Sequence, residues 1–419
     1  MSTENKKYIP ALRFKEFQDD GEWVTDTMET IFDIKNGYTP SKSNSAFWDN
    51  GTIPWFRMED IRKNGHILSD SIQHITPAAV KNAGLFPAYS IIVATTATIG
   101  EHALIIVDSL ANQQFTFLTK RKSFDNKLDM MYFHYFMFII DEWCKRNTNA
   151  GGLLSVNMDS FKKLTIPYPS SLSEQKKIAD CFVSIDKEID ATKRKLELLK
   201  EHKKGLMQRL FPAKGKTTPE LRFPEFQNDG EWQVVSLGEI TSVVNRRNKS
   251  NRSLPIYSIN NAEGFVPQSQ QFAGMDSEAR GYDISAYKII GKHTFAYNPA
   301  RINVGSIGYS GELKDILISS LYVCFKTMDN VDDDFLMCFF DSYIFNQAVE
   351  SNVEGGIRSY LFYENFSRIK IAIPSLYEQK RIASCITSIE DMIKQTNKQI
   401  CLLETHKNGL LQQLFPKIK

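Results

Sequence analysis

A chain that writes one frame twice must build one structural unit twice. Residues 10–23 read PALRFKEFQDDGEW and residues 219–232 read PELRFPEFQNDGEW, differing only at Ala11/Glu220, Lys15/Pro224 and Asp19/Asn228. A second pair follows: residues 174–212 open on Glu174-Gln175-Lys176 and close on Leu210-Phe211-Pro212, and residues 378–416 open on Glu378-Gln379-Lys380 and close on Leu414-Phe415-Pro416. The order is motif, body, helix, motif, body, helix. The bodies, 24–165 and 233–370, share little beyond Gly151-Gly152 with Gly355-Gly356, Ser155 with Ser359, and Phe161 with Phe366. A retained frame around diverged contents suits two sites that recognise different things.

The repeated segments after the bodies carry a seven-residue apolar period. In the first, Ile178, Phe182, Ile185, Ile189, Leu196, Leu199, Leu206 and Leu210 step by four and three, with Thr192 and Lys203 at the remaining core positions. The second copies it with Ile382, Ile386, Ile389, Ile393, Ile400, Leu403, Leu410 and Leu414, with Thr396 and Lys407 filling the gaps. This is the pattern of a coiled coil. Each helix spans about 38 residues, or roughly 55 Å at 1.5 Å per residue. Pro169 and Pro374 precede the helices, and Pro212 and Pro416 follow them. Internal symmetry requires the second helix to return antiparallel to the first, as a rod with a body at each end. By itself, such a pair also suits an oligomer stalk.

Four segments are expected: a first domain over 1–165, a helix over 170–212, a second domain over 213–370 and a helix over 375–416. The class expected is α+β. Short β-type runs (Ser90 to Ala94, Ala103 to Val107, Leu254 to Ser258, Leu317-Ile318, Tyr322 to Phe325) alternate with helical patches near 130–145 and 334–349, which suggests curved sheets with long loops. With 42% hydrophobic residues and 28 Phe there is enough to fill two cores. The six cysteines are scattered, with no C-x-x-C pair and no zinc spacing, as in a reducing cytoplasm. The polar start and the shortness of the most apolar run, Met130 to Ile140, argue against a signal peptide or a membrane span.

The net charge of +2 does not announce a polyanion partner, so any basic surface must come from local distribution. One segment stands out. Asn245 to Arg252 carries Arg246, Arg247, Lys249 and Arg252 among amides, with no acidic residue. Arg and Lys neutralise phosphates, and Arg and Asn pair with base edges. A turn at Tyr297 to Gly305 presents Asn298, Arg301 and Asn303. Its counterpart in the first body is Thr95 to Gly100, with Thr95, Thr96 and Thr98 as short hydroxyls. Thr39, Ser41 and Lys42 lie in a further turn. Gly151, Gly152 and Ser155, and Arg358, Ser359 and Tyr360, follow the shared Gly-Gly runs. Each loop alone reads equally as an ordinary solvated turn. Trp48 and Trp55 suit anchoring better than base stacking.

Catalytic signatures are missing. There is no G-x-G-x-x-G. Gly215-Lys216-Thr217 follows a helix and lacks the first glycine of a phosphate loop, because residue 210 is Leu. Asn298-Pro299-Ala300-Arg301 lacks the second proline and the aromatic of an amino-methyltransferase motif. Glu312-x-Lys314 is too short a match to name a nuclease, and no His-x-x-x-His pair is present. No catalytic or metal-binding residue is assigned. His202 with His406, and Cys181 with Cys385, occupy equivalent helix positions and belong to the frame.

The doubled arrangement resembles the specificity subunits of Type I restriction–modification systems. The resemblance rests on Leu12-Arg13-Phe14 with Glu22-Trp23, Leu221-Arg222-Phe223 with Glu231-Trp232, the Ile-Pro to Glu-Gln-Lys helix starts and the Leu-Phe-Pro exits. Gly37-x-Thr39-Pro40-Ser41 and Ile53-Pro54-Trp55 are similar to that family's first-domain opening. The second body lacks the Gly-x-Thr-Pro run but carries Asn298 to Gly305, also similar to the family. The resemblance implies a cytoplasmic, non-catalytic reader of double-stranded DNA. Each domain would read half of a split site, and the helices would set the gap. It also implies two modification methyltransferase subunits using S-adenosylmethionine, and restriction subunits using ATP and Mg, with every cofactor in the partners and none in this chain. The rivals are a methyltransferase or nuclease fragment, which would transfer methyl groups alone, and a scaffold, which would confer no sequence dependence.

Exchanging residues 24–165 for another first body is expected to alter one half of the methylated motif and leave the other intact. Methylome sequencing that finds both halves altered would contradict the modular reading.

Overall fold

The computed structural model describes residues 8–81, 84–149, 154–261, 263–271, 274–352 and 360–418. The chain forms two compact units, one of residues 1–192 with 399–419 and one of residues 193–398. Both are α+β. Each contains a body, part of the helix that leaves it and part of the other long helix. The two helices, Leu172–Leu210 and Leu376–Leu414, are each 39 residues long.

In the first unit a five-stranded sheet has the order Phe32–Asn36, Phe115–Lys120, Ser90–Ala94, His102–Ile105, Ile67–Leu68. Its pairs are antiparallel except the last. A smaller sheet joins His74–Ile75, Ile53–Phe56 and Leu110–Ala111. The central strands are buried on both faces, which is why Ser90–Ala94 reads as a continuous apolar run and not an alternating one. Helix Met130–Arg146 packs its aromatic residues into a core with Trp23, Phe161, Ile178, Phe182, Leu414 and Phe415. The second unit has two four-stranded sheets instead. One has the order Thr241–Val243, Val323–Thr327, Phe295–Tyr297, Ile307–Tyr309; the other has Gly264–Pro267, Ile256–Asn260, Ile316–Ile318, Lys288–Ile290. Its core gathers Phe211, Trp232, Phe295, Phe335, Phe339, Phe366 and Ile382.

What the units share is the frame. An antiparallel ribbon joins the start of each body to its end: Val24–Thr27 pairs with Thr165–Tyr168, and Gln233–Ser236 with Lys370–Ile373. The Glu-Gln pair at each helix start explains its own repetition. Glu174 receives two hydrogen bonds of 2.7 Å from the Arg13 guanidinium, and Glu378 receives 2.8 and 2.7 Å bonds from Arg222. Each arginine also donates to the turn near the end of its own motif, at Gly21 O and Gly230 O. These arginine side chains are 9% exposed and the glutamates 1%. Such a desolvated charge is tolerable only with a forked partner that fills both oxygens. The neighbouring glutamines staple the helix to the body. Gln175 donates to Lys127 O and Pro169 O and accepts from Asp129 N; Gln379 donates to Asn330 O and Pro374 O and accepts from Asp332 N. Asp129 and Asp332 in turn cap the helices Met130–Arg146 and Asp333–Phe340.

The sixteen heptad residues are all buried or half-buried. Their polar companions have distinct roles. Thr192 and Thr396 each donate to the carbonyl four residues back, at 2.7 Å. In the second unit Lys203 bridges to Glu390 at 2.8 Å and Asp341 at 2.6 Å; in the first, Lys407 bridges to Asp186 at 2.6 Å and lies over the Tyr135 and Phe138 rings. Within each unit, then, a segment of one helix is ion-paired to a segment of the other. A charged pair at an otherwise apolar seam position favours one register, because a shift would strand it. Toward the exits burial moves to Met207 and Leu411, next to Leu206 and Leu410, as the helices leave the seam for the body cores.

Arg222→Ala leaves Glu378 buried and unpaired and should cost about 3–5 kcal/mol in the second unit. Hydrogen exchange of the Gln233–Ser236 and Lys370–Ile373 ribbon measures it. Arg222→Met combined with Glu378→Leu should recover most of the protection. Unchanged exchange in the single variant would remove the clamp from its proposed role.

Candidate nucleic-acid interface

In the first unit the candidate turns meet at one edge of the sheets. Gly37 is the pivot. A Cβ there would lie 2.3 Å from Ala111 O, so only glycine lets the loop cross this strand, and Gly37 N donates to Phe115 O at 2.9 Å. Beyond it Thr39 is half-buried, with its hydroxyl on Gln113 Oε1, while Ser41 and Lys42 are exposed. Two tryptophans hold this loop from behind. Trp48 Nε1 donates to Ser41 O at 2.9 Å and Trp55 Nε1 to Tyr38 O at 3.0 Å, and their rings meet edge-on at 5.0 Å. They are anchors.

The turn after Ser90–Ala94 sits beside this loop. Thr95 N donates to Gln114 O at 3.1 Å, and the Thr95 hydroxyl shares a buried hydrogen bond with Thr116. Thr95 therefore faces inward and shapes the turn, whereas Thr96 and Thr98 are half-buried at its outer side. Thr96 forms an isolated bridge with Ser155. Gly151 and Gly152 lie outside the described residues. Sequence reasoning passed over Asn112-Gln113-Gln114, three consecutive amides between Thr39 and Thr95 that are exposed or half-exposed. The signal was there: an amide triplet between two strand-type runs has the donor–acceptor pairs that read adenine edges.

The second unit arranges different residues at the matching place. Val156 N donates to Thr95 O at 2.9 Å, and Leu361 N donates to Pro299 O at 3.0 Å. These bonds lie 204 and 205 residues apart in the chain, the repeat's own offset. The turn at 297–305 is thus the counterpart of that at 95–100. Asn298 spends its amide within the turn, accepting from Ala300 N at 3.0 Å. Gly305, at φ +85°, closes the short turn Ile302–Val304, leaving Arg301 and Asn303 exposed. Tyr360 immediately precedes Leu361, and its ring stacks on Phe362 at 5.7 Å. Gly355, Gly356, Arg358 and Ser359 lie outside the described residues.

The basic loop at 245–252 is folded around one residue. Asn248 is buried; its Nδ2 donates to Arg252 O at 3.0 Å and its Oδ1 accepts from Arg252 N at 2.9 Å. The loop runs beside Lys288–Ile290, with Ile289 N donating to Arg246 O at 2.7 Å. Arg246, Arg247, Lys249 and Arg252 are consequently held outward and exposed; Arg252 approaches Asp315 at 3.7 Å.

The buried thiols and imidazoles among the described residues are held in their neutral forms. Burial pushes the Cys144, Cys324 and Cys338 thiols up to about 12, which keeps them neutral. Burial lowers His102 to about 3 and holds His134 well below its ordinary value. Glu312 is bonded to Lys292, which lowers its carboxyl, and is an exposed surface pair. No group among the described residues has the composition to hold a metal ion, and no described helix is long and apolar enough to cross a membrane.

A family model described as the Type I restriction modification DNA specificity domain matches residues 20–201 and again 229–404. The EcoprrI specificity subunit of Escherichia coli is 49% identical over 158 residues, 38% of this chain and 39% of that relative. The MjaIX specificity subunit of Methanocaldococcus jannaschii is 24% identical over 422 residues, 94% of this chain and 92% of its own. The crystal structure of a Type I restriction–modification S subunit from M. genitalium has the same fold, with TM-score 0.59 at 16% identity over 98% of this chain and all 100% of that one.

Asn248→Ala removes the buried amide that closes the basic loop. Trypsin is expected to cut at Arg246, Arg247, Lys249 or Arg252 at least about fivefold faster, the factor for 1 kcal/mol of lost hydrogen bonding. Unchanged cleavage would mean that the loop is held by other contacts.

Proposed function

The chain belongs to the Type I restriction–modification DNA specificity family, whose members are non-catalytic subunits, and from that premise we propose that it reads a bipartite, asymmetric site on double-stranded DNA. The observation that carries this reading is the doubled Arg–Glu clamp holding two unlike bodies. One frame presents two different surfaces in equivalent positions, as two different half-sites demand. The proposed domains are 1–165 and 213–370, with helices over 170–212 and 375–416 setting the unread gap between half-sites.

For the first half-site the proposed contacts are Ser41, Lys42, Thr96, Thr98, Ser155 and the Gly151-Gly152 run, together with Thr39 and Gln113, while Thr95 supports the turn from within. For the second they are Arg246, Arg247, Lys249, Arg252, Arg301, Asn303, Arg358, Ser359 and Tyr360, with Asn298 supporting its turn. Lysines on mobile stems suit phosphates. Arg301, on a short turn closed by Gly305, suits a guanine edge. The helices dock two methyltransferase subunits, which bring S-adenosylmethionine and methylate adenine. Restriction subunits add ATP, Mg and cleavage, and the complex works in the cytoplasm with the DNA it reads. A net charge of +2 fits a reader whose phosphate contacts are shared with partners.

Long-read methylome sequencing of a methylation-deficient host carrying this chain and its cognate methyltransferase tests the reading. The expected result is one split motif with a fixed gap that vanishes when this chain is omitted. A continuous motif, or methylation that persists without the chain, would leave it a scaffold. Equal insertions in both long helices should change the gap and neither half-site; an unchanged gap would remove the spacer role.

A further inference from the structure

Strand register carries the internal repeat into the two bodies, where sequence likeness has been lost. Trp23 and Trp232 fix Ile31 and Ile240 as equivalent. Ile31 O accepts from Arg121 N at 3.0 Å, and Ile240 O accepts from Met328 N at 2.9 Å, so Arg121 and Met328 are equivalent too. The far side of the same strands agrees. Thr95 and Pro299 hold matching places in their turns, and two residues before them Val93 pairs with Thr116 and Tyr297 with Val323. Counting back from either side sets Leu321 where the first unit has Gln114. The local turns match as well: Gln114 N donates to Asn112 Oδ1 at 3.1 Å, and Leu321 N to Ser319 Oγ at 3.4 Å. One frame thus presents an amide in the first unit and an aliphatic side chain in the second.

Leu321 is 76% exposed, more than any other large apolar side chain among the described residues. A single exposed leucine is common on protein surfaces. This one is distinguished by its place and by how firmly it is held. The next residue, Tyr322, donates its N–H to Ser319 O at 3.1 Å and accepts at its own carbonyl from Lys288 Nζ at 2.6 Å. Leu321 is therefore presented between fixed neighbours. Burial raises the Tyr322 hydroxyl, while a bond from Ile259 N and the Arg301 cation oppose that rise. The arginine and the leucine accordingly share one end of the sheet. In the major groove an amide complements the adenine edge. The C5-methyl of thymine is the one apolar feature shown there, and an aliphatic side chain complements it. Replacing Gln114 by Leu321 on one frame exchanges the first kind of reader for the second.

We propose that Leu321 is a specificity-determining residue of the second half-site and that it packs against the C5-methyl group of a thymine. This rests on the functional reading above and deepens it by naming the base feature that one side chain reads. Contact with the methyl removes apolar surface of both partners from water, a gain that leucine forgoes in the free chain.

The test uses the full chain in complex with its cognate methyltransferase and duplexes carrying the split motif that methylome sequencing gives. Each thymine of the second half-site is replaced in turn by uracil, which lacks only the methyl group. One replacement should weaken binding about fourfold, the factor for one methyl group transferred from water. Leu321→Ala should weaken binding to the thymine duplex by a similar factor and bind the thymine and uracil duplexes equally, because the two changes remove the same contact. Its unchanged response to substitutions in the first half-site reports that the variant is folded. Uracil duplexes that all bind like thymine duplexes, or a second half-site without thymine, would overturn the assignment and leave the split-site reading standing. A uracil effect that persists in Leu321→Ala and vanishes in Val304→Ala would give the methyl group to the neighbouring turn and overturn it equally. A complex that shows no split motif would remove the functional reading and the assignment together.

Discussion

Two glutamates buried to 1% exposure set the terms for everything around them. A carboxylate removed from water destabilises a fold unless its oxygens are saturated, and Arg13 and Arg222 saturate Glu174 and Glu378 with paired bonds of 2.7–2.8 Å. Geometry then propagates outward. The arginine is held by the turn within its own motif, at Gly21 O or Gly230 O, so the motif cannot move without breaking the fork. The glutamine beside each glutamate ties the same helix start to the cap of a body helix. Ribbon, helix start and body helix are thus locked to one point. This accounts for the near-identity of the two motifs, since every residue of the network depends on the others for its partner.

With the junction fixed, the bodies were free to differ. The first body builds a five-stranded and a three-stranded sheet and the second two four-stranded sheets, yet both bring a turn to the place defined by Val156 N to Thr95 O and Leu361 N to Pro299 O. Hydroxyls and amides occupy that edge in one unit, and arginine and asparagine in the other. Side chains on turns, backed by fixed anchors such as Trp48, Trp55 and Asn248, can be exchanged without disturbing the core. The lysines of the heptad seam play a related part in the helices. Lys203 with Glu390 and Lys407 with Asp186 each join a segment of one helix to a segment of the other within its own unit, and a shift in register would part them.

The repeat and the two long helices were legible in the linear sequence, because helical periodicity and a doubled motif are local properties that spacing alone displays. So were the exposed arginines of 245–252, since a run of cations among amides has no core to enter. What the glutamates bind was not legible. Arg13 and Glu174 are 161 residues apart and Arg222 and Glu378 are 156 apart, so nothing in the spacing joins them. Thr95 and Thr96 look alike in the chain, yet the first is buried with its hydroxyl on Thr116 and the second is half-buried with its backbone bridged to Ser155, because a strand end sends successive side chains to opposite faces. Gln113 earned notice only when the fold set it beside Thr39. By itself the sequence determined that there are two frames and two helices; only the tertiary structure decided which buried charge closes each frame and which turns share an edge, because burial and long-range pairing arise from packing that no local pattern encodes.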